Sequence, residues 1–415
     1  MMKWVLKINE YYVFGLIVFI ALATSYFRNG HLIPPQDWPG QYWAGDLSLL
    51  RSYGEAFLKG GDTSPGGSNP YPPLATALGA ELARLPLPSA IKVLYGLSIL
   101  SFFGFVAFWL KQAHSVPPQE RRWLSLFFVG SGVFSYPMLF EFERGQFNLL
   151  AMSLAFISVS LLEDGNSFLL RTFSIVLGCL AIHLKLYPIL FVGTFFLIQI
   201  IRDFRERNIS MGLYTTALFV TINLILLFVF GTGPLYGFFQ GIRTHFSHPQ
   251  FWIGNHSLNS YFFLTGLPVF LQSLFKTLFL LSVLVAFGFY FEKGLSLSLS
   301  AKSKEFLVLI FLTTEILPSV SHDYKLCYLP MVMMLFSSAS AVLSGNPQQL
   351  QNKLMILMYP LMLLPYSNLV KPLQNKFVPL LVISIVPIAF AVLEIKKKFG
   401  IRCFTKLSAS SRQFG

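Results

Sequence analysis

Apolar runs close to the ~20 residues that cross bilayer hydrocarbon recur along almost the whole chain, and this repetition constrains the fold most. They fall near 11–27, 89–110, 124–140, 147–162, 169–183, 187–201, 212–231, 269–290, 305–319, 324–343, 354–369 and 377–395, about twelve spans by length. Backbone amides facing lipid have no water to bond, so each run must be helical. Composition agrees: 54% of residues are hydrophobic and 12% charged, with a mean hydropathy of +0.62. The expected class is an all-α polytopic membrane protein, with the pair of runs around Lys185 read as broken helices.

Charge gives the orientation. Lys111, Arg121 and Arg122, then Arg202, Arg205 and Arg207, then Lys293, Lys302 and Lys304, then Lys396, Lys397 and Lys398 follow even-numbered runs. The positive-inside rule puts them in the cytoplasm together with Lys3 and Lys7, so both termini are expected inside. The net charge of +13 is then topology and headgroup attraction. Short basic loops without stacking aromatics give no nucleic-acid surface. Residues 1–30 read as a retained first helix, since Ser25–Gly30 is no small-residue cleavage site. Cys179, Cys327 and Cys403 form neither a metal pattern nor a disulfide framework.

Polar chemistry gathers on the other side. The outer loops carry Asp37, Asp46, Glu55, Asp62, Glu141, Glu143, Asp323, His31, His245, His248, His256 and His322. The longest, 28–88 and 232–268, are rich in Gly, Pro and aromatics, and function concentrates in such loops. Within the first, Leu47, Leu50, Gly54, Phe57 and Leu58 make one apolar stripe of a surface helix. Arg51, Glu55 and Lys59 stand at i, i+4 spacing on its other side. Asp46 is the natural N-cap and Gly60 the natural stop. A carboxylate at the bilayer lip also suits a general base, and spacing leaves both roles open.

Six stretches occur in order: Asp46 with its helix to Gly60, Tyr71-Pro-Pro-Leu74, Gly145-Gln-Phe-Asn-Leu-Leu150, Leu184-Lys-Leu-Tyr-Pro-Ile-Leu190, Gly254-Asn-His-Ser-Leu258 and Ser321-His-Asp-Tyr-Lys-Leu-Cys-Tyr-Leu-Pro330. Together they resemble glycosyltransferase family 87, the polyprenyl-phosphate-mannose-dependent mannosyltransferases of the GT-C type. Two departures stand out: His256 where Gln is usual, and the acidic Glu141-Phe-Glu-Arg144 before the Gly-Gln motif.

The resemblance implies a GT-C fold, and transfer of a hexose, mannose first, from a polyprenyl-phosphate donor to a lipid or glycan acceptor with inversion. It implies Asp46 as the base and His322 as a second catalytic candidate. Lys185 and Arg144 are expected at the donor phosphate, and Gln146, Asn148, Asn255, Ser257 and Tyr71 at sugar or acceptor. The bland readings are snorkelling for Lys185 and Arg144, interhelical bonding for Gln146 and Asn148, and a turn pair for His322 with Asp323. A bacterial inner membrane is expected, with the active face outward.

Residues 1–231 would form the GT-C-like module including loop 28–88. Residues 232–395 would supply the second loop and later helices, and 396–415 a basic cytoplasmic tail. No phosphate loop or dinucleotide fingerprint occurs, which favours a lipid-linked donor. Asp46 with Asp37, or Glu141 with Glu143, could hold a divalent ion, but no ligand set is fixed and no cofactor is expected. Lys276 and Glu315, both within runs, are expected to pair. The rival class is a transporter or flippase of lipid-linked saccharides, against which stands the lack of a repeated helix break.

Overall fold

The computed structural model describes residues 44–60, 69–112, 118–164, 167–247, 254–296, 303–317, 321–337, 358–359, 361–363 and 376–398. The expected first span, Asp37, much of loop 28–88, most of the run at 354–369 and nearly all of the basic tail lie outside them. Among the described residues the architecture is helical, with one isolated antiparallel bridge, Asn255 to His322.

Helix α1 (Gly45–Leu58) crosses α2 (Pro73–Ala83) closely, because glycines at the crossing remove side-chain bulk. A Cβ on Gly54 would strike the backbone of Gly79 and Ala80, and one on Gly79 the Leu50 carbonyl. The expected apolar stripe is the packing face, with Leu47, Leu50, Tyr53 and Gly54 buried. The helix therefore lies on protein through that face. Gly60 ends it with φ +65 as the sequence suggests. Arg51 does not pair along the helix; its guanidinium donates to the Leu85 carbonyl at 2.7 Å, across to the end of α2.

The run at 124–140 is not one helix. It falls in α4 (Pro118–Val133) and α5 (Tyr136–Arg144), which meet at 50°. Ser135 makes the break by accepting from Met138 N at 3.3 Å, with Pro137 in the first turn, where a missing N–H costs nothing. Helix α3 (Leu87–Gln112) precedes this pair, and α6 (Asn148–Asp164), α7 (Phe168–Leu184), α8 (Pro188–Arg205) and α9 (Ile209–Phe228) follow it. The break at Lys185 is as expected: the residue is extended (φ −141, ψ 136) and Pro188 opens the next helix.

The loop 232–268, expected on the outer side, contains α10 (Thr232–Ser247) and α11 (Leu258–Thr265), and α12 (Val269–Ser296) and α13 (Ser303–Ile316) follow. The run at 324–343 opens instead with a 3₁₀ turn, Asp323–Tyr328, before α14 (Leu329–Ser337). The last described helix, α15 (Phe377–Lys398), receives a bond from the Tyr290 hydroxyl of α12 to the Pro387 carbonyl at 3.0 Å. Contacts cross the expected division at 231/232, since α8 packs on α12 and α13, and α10 on α2.

Four described helices are long and apolar enough to cross a membrane, or five if the bent pair is one span; α6 and α7 are shorter apolar helices. The chain is membrane-embedded and helical, and the count of twelve remains an expectation. Two apolar cores form. The larger joins α3–α8 to α12–α15 around Phe156, Tyr328 and Met331. The smaller, around Leu47, Leu50, Tyr71, Phe147 and Leu184, carries the candidate site on its rim.

Candidate active site

Side chains distant in sequence meet where the start of α1, the end of α5 and the α7–α8 break converge. Arg144, last in α5, grips Asp46 with both arms of its guanidinium: Nε lies 3.0 Å from Oδ2, and Nη2 donates to Oδ1. Gln146 Nε2 donates to the same Oδ2 at 2.5 Å, and its Oε1 accepts from Lys185 Nζ at 2.6 Å. The Lys185 ammonium also stands over the Tyr71 and Phe147 rings, 4.7 and 4.4 Å from their centroids.

Local backbone chemistry sets this corner. Gly145 turns the chain after α5 at φ +66, a conformation L side chains avoid. A Cβ there would lie 2.7 Å from Leu47 Cβ, so the turn abuts α1. Ala44 N donates to the Glu143 carbonyl at 2.7 Å and pins the start of α1 beside the turn. Asp46 is therefore not the N-cap. Ala44 holds that position without a side-chain cap, and Asp46, within the first turn, faces Arg144 and Gln146. It still sits at the positive end of the helix dipole.

Access is partial. The Asp46 and Arg144 side chains are 14% and 15% exposed. Burial pulls the Lys185 ammonium down, to about 8, against the Glu141 and Asp46 carboxylates. Burial and then the Asp46 charge raise the Tyr71 phenol, so it stays a neutral hydrogen-bonding group.

Other expected residues are occupied differently. Asn148 Nδ2 and Leu149 N donate to the wholly buried Glu141 carboxylate at 2.7 and 3.0 Å, which caps α6 from outside. Asn255 Oδ1 accepts from Ser257 N at 3.1 Å and Ser321 N at 2.9 Å, while Ser257 Oγ caps α11 by accepting from Ser260 N at 3.2 Å. Both side chains are fully buried in loop structure.

His322 begins the 3₁₀ turn with its ring 5.2 Å from that of Tyr324. Tyr324 packs edge-on against Phe140 at 5.4 Å, and its hydroxyl lies within electrostatic reach of Asp46, Tyr71 and Arg144. Neither Tyr324 nor the cap by Glu141 emerges from the sequence pattern. An acid just ahead of a Gly-Gln-x-Asn helix start was the signal for Glu141, and for Tyr324 the signal was its place in the Ser321–Pro330 stretch.

A second polar cluster is wholly buried. His256 Nδ1 lies 2.9 Å from Asp323 Oδ1 and Nε2 2.8 Å from Glu315 Oε2. Tyr328 Oη also donates to Glu315, and Ser321 Oγ does so at 3.2 Å. Glu315 is thus bonded here, and the expected pairing with Lys276 gives way. The two acids flank opposite ring nitrogens, so the three groups cannot converge on one ion. Among the described residues no group of three or more His, Cys, Asp or Glu forms a metal-ligating arrangement.

The family model for glycosyltransferase family 87 matches residues 69–314. That stretch includes Tyr71, Arg144, Gln146 and Lys185, while Asp46 and His322 lie outside it, and Asp46 meets Arg144 and Gln146 through the fold. No curated protein matches the chain.

Proposed function

Since the chain belongs to glycosyltransferase family 87, and is thereby a membrane glycosyltransferase, we propose that it moves a hexose, mannose first, from a polyprenyl phosphate to a lipid or glycan acceptor on the outer face. The observation that carries this reading is the contact of Asp46 with Arg144 and Gln146, which joins a carboxylate from outside the matched stretch to a guanidinium and a carboxamide within it.

The step follows from that arrangement. The acceptor hydroxyl attacks the anomeric carbon on the face opposite the phosphate. As the new C–O bond forms, the bond from that carbon to the phosphate oxygen breaks, which inverts the centre. The hydroxyl proton passes to Asp46, and the electron pair leaves on the polyprenyl phosphate. Preorganised cations counter that charge. Lys185 is the principal phosphate contact, since among the described residues it bonds a neutral carboxamide and no carboxylate. Arg144 orients Asp46 at rest and can extend one guanidinium arm to the phosphate. Gln146 links base and cation, Tyr71 offers a neutral hydroxyl to the sugar, and His322 with Tyr324 borders the pair. Asn148, Asn255 and Ser257 are better assigned to holding helices and loops.

The test is label transfer from polyprenyl-phosphate-mannose to a membrane lipid extract by the full chain in nanodiscs. Wild type is expected to transfer, and folded Asp46→Asn to lose about 10²–10⁴-fold. Equal rates would return Asp46 to a purely structural role. No transfer by wild type, with movement of lipid-linked sugar across a vesicle bilayer, would favour the flippase. Activity lost to a chelator and restored by magnesium or manganese would overturn the metal-free assignment.

A further inference from the structure

The buried cluster around His256 contains the order Ser321–His256–Asp323, with Ser321 Oγ 3.0 Å from the ring's Nε2 and Asp323 on Nδ1. That is the hydrogen-bond sequence of a nucleophilic relay. Here all three residues are fully buried, and Glu315 takes the nitrogen that would receive the serine proton. The cluster is a clamp.

We propose that His256 is a positioning residue of the transferase, a doubly protonated ring whose grip on Glu315 and Asp323 holds the His322–Tyr324 segment against the Asp46 site. The proposal rests on the assignment of Asp46 as the base. Both ring nitrogens face carboxylate oxygens at 2.8–2.9 Å, and a neutral imidazole has a single N–H to give. With both acids ionised, hydrogen bonds to two carboxylates require the imidazolium. The ring joins three pieces of chain: loop 254–257, the end of α13, and residues 321–328.

The backbone repeats the connection. His256 N donates to the Ser321 carbonyl at 2.8 Å and Asp323 N to the Gly254 carbonyl at 3.0 Å, with Asn255 opposite His322 between them. Tyr324, next after Asp323, packs edge-on at 5.4 Å against Phe140 of α5, the helix whose last residue, Arg144, holds Asp46.

Four charged groups among the described residues stand around the ring. Glu315 faces it from α13, Asp323 from the 3₁₀ turn. Lys325, 3.4 Å from Ser321 Oγ, and Lys376, at the foot of α15, act on those acids. Burial alone would discharge His256; its bonds to Asp323 and Glu315 and their charges outweigh that and raise its pKa. The sign follows. With the folded pKa above the unfolded value, the clamp's contribution is complete below about pH 6.5. It is lost as pH rises through the raised folded value.

The experiment compares wild type with His256→Gln in nanodiscs, measuring kcat, donor KM and melting temperature from pH 5.5 to 9.5. Glutamine offers donors from one end only, keeps one carboxylate bonded and does not titrate. Wild type is expected to lose kcat and melting temperature together on an alkaline limb that His256→Gln lacks. At pH 6.5 the variant should have kcat lowered roughly tenfold, the worth of one charge-assisted hydrogen bond, and donor KM within about twofold. An unchanged alkaline limb in His256→Gln would overturn the proposal. So would a melting limb without a matching fall in kcat, which leaves the clamp structural. If wild type shows no transfer at any pH, the Asp46 assignment fails instead, and the melting limb still reports whether the imidazolium exists.

Discussion

The two polar clusters use similar chemistry and differ in contact with solvent. Around Asp46, a carboxylate, a guanidinium, a carboxamide and an ammonium form a chain whose carboxylate and guanidinium are about one-seventh exposed. Around His256, two carboxylates share one imidazole and the three side chains are wholly enclosed. Burial makes ion pairs expensive to break and useless to a ligand that cannot reach them. Partial exposure leaves partners free to exchange. The open cluster suits reaction and the closed one suits holding, a distinction composition alone could not supply.

The comparison breaks most readily at Asp46. Asp46→Asn keeps the size and should keep the fold, with a melting temperature within a few degrees of wild type and a transfer rate down about 10²–10⁴-fold. A large fall in melting temperature would make the open cluster structural too. The closed cluster should answer in the opposite currency. Glu315→Ala leaves His256 without one of its two carboxylates and should destabilise by about 3–5 kcal/mol in reversible unfolding. A stable Glu315→Ala protein would erase the distinction.

Lys185→Gln sharpens the open side. Its assigned role predicts a donor KM about ten- to a hundredfold higher, the worth of a hydrogen bond to a charged partner, with a smaller change in acceptor KM. Equal loss against both substrates would point to a packing role over Tyr71 and Phe147. The smallest effect is expected at Lys398–Glu292, a 3.0 Å pair that is 60% and 65% exposed. Lys398→Ala should cost under about 1 kcal/mol and leave kcat unchanged, which calibrates the other losses.

How far the sequence could be read depends on the range of each interaction. Gly60 and Pro188 act on their own turns, and both ends fell where expected. Asp46 as N-cap and Arg51 as an i, i+4 partner were equally local inferences, yet both yielded to neighbours from elsewhere. The Glu143 carbonyl fixed Ala44 at the cap, and the Leu85 carbonyl drew Arg51 away. The continuous run at 124–140 hid a bend because hydropathy is blind to the Ser135 cap.

The sequence by itself determined a helical membrane chain, its break at Lys185, and the family to which 69–314 belongs. Those follow from apolar length, proline geometry and ordered short motifs, all carried by adjacent residues. Only the tertiary structure decided that Asp46 meets Arg144, 98 residues away, and that His256 lies between Glu315 and Asp323, 59 and 67 residues on. The physical reason is that helix periodicity fixes which face a residue occupies but not the rotation and height at which two helices pack. A hydrogen bond tolerates only a few tenths of an ångström in that placement.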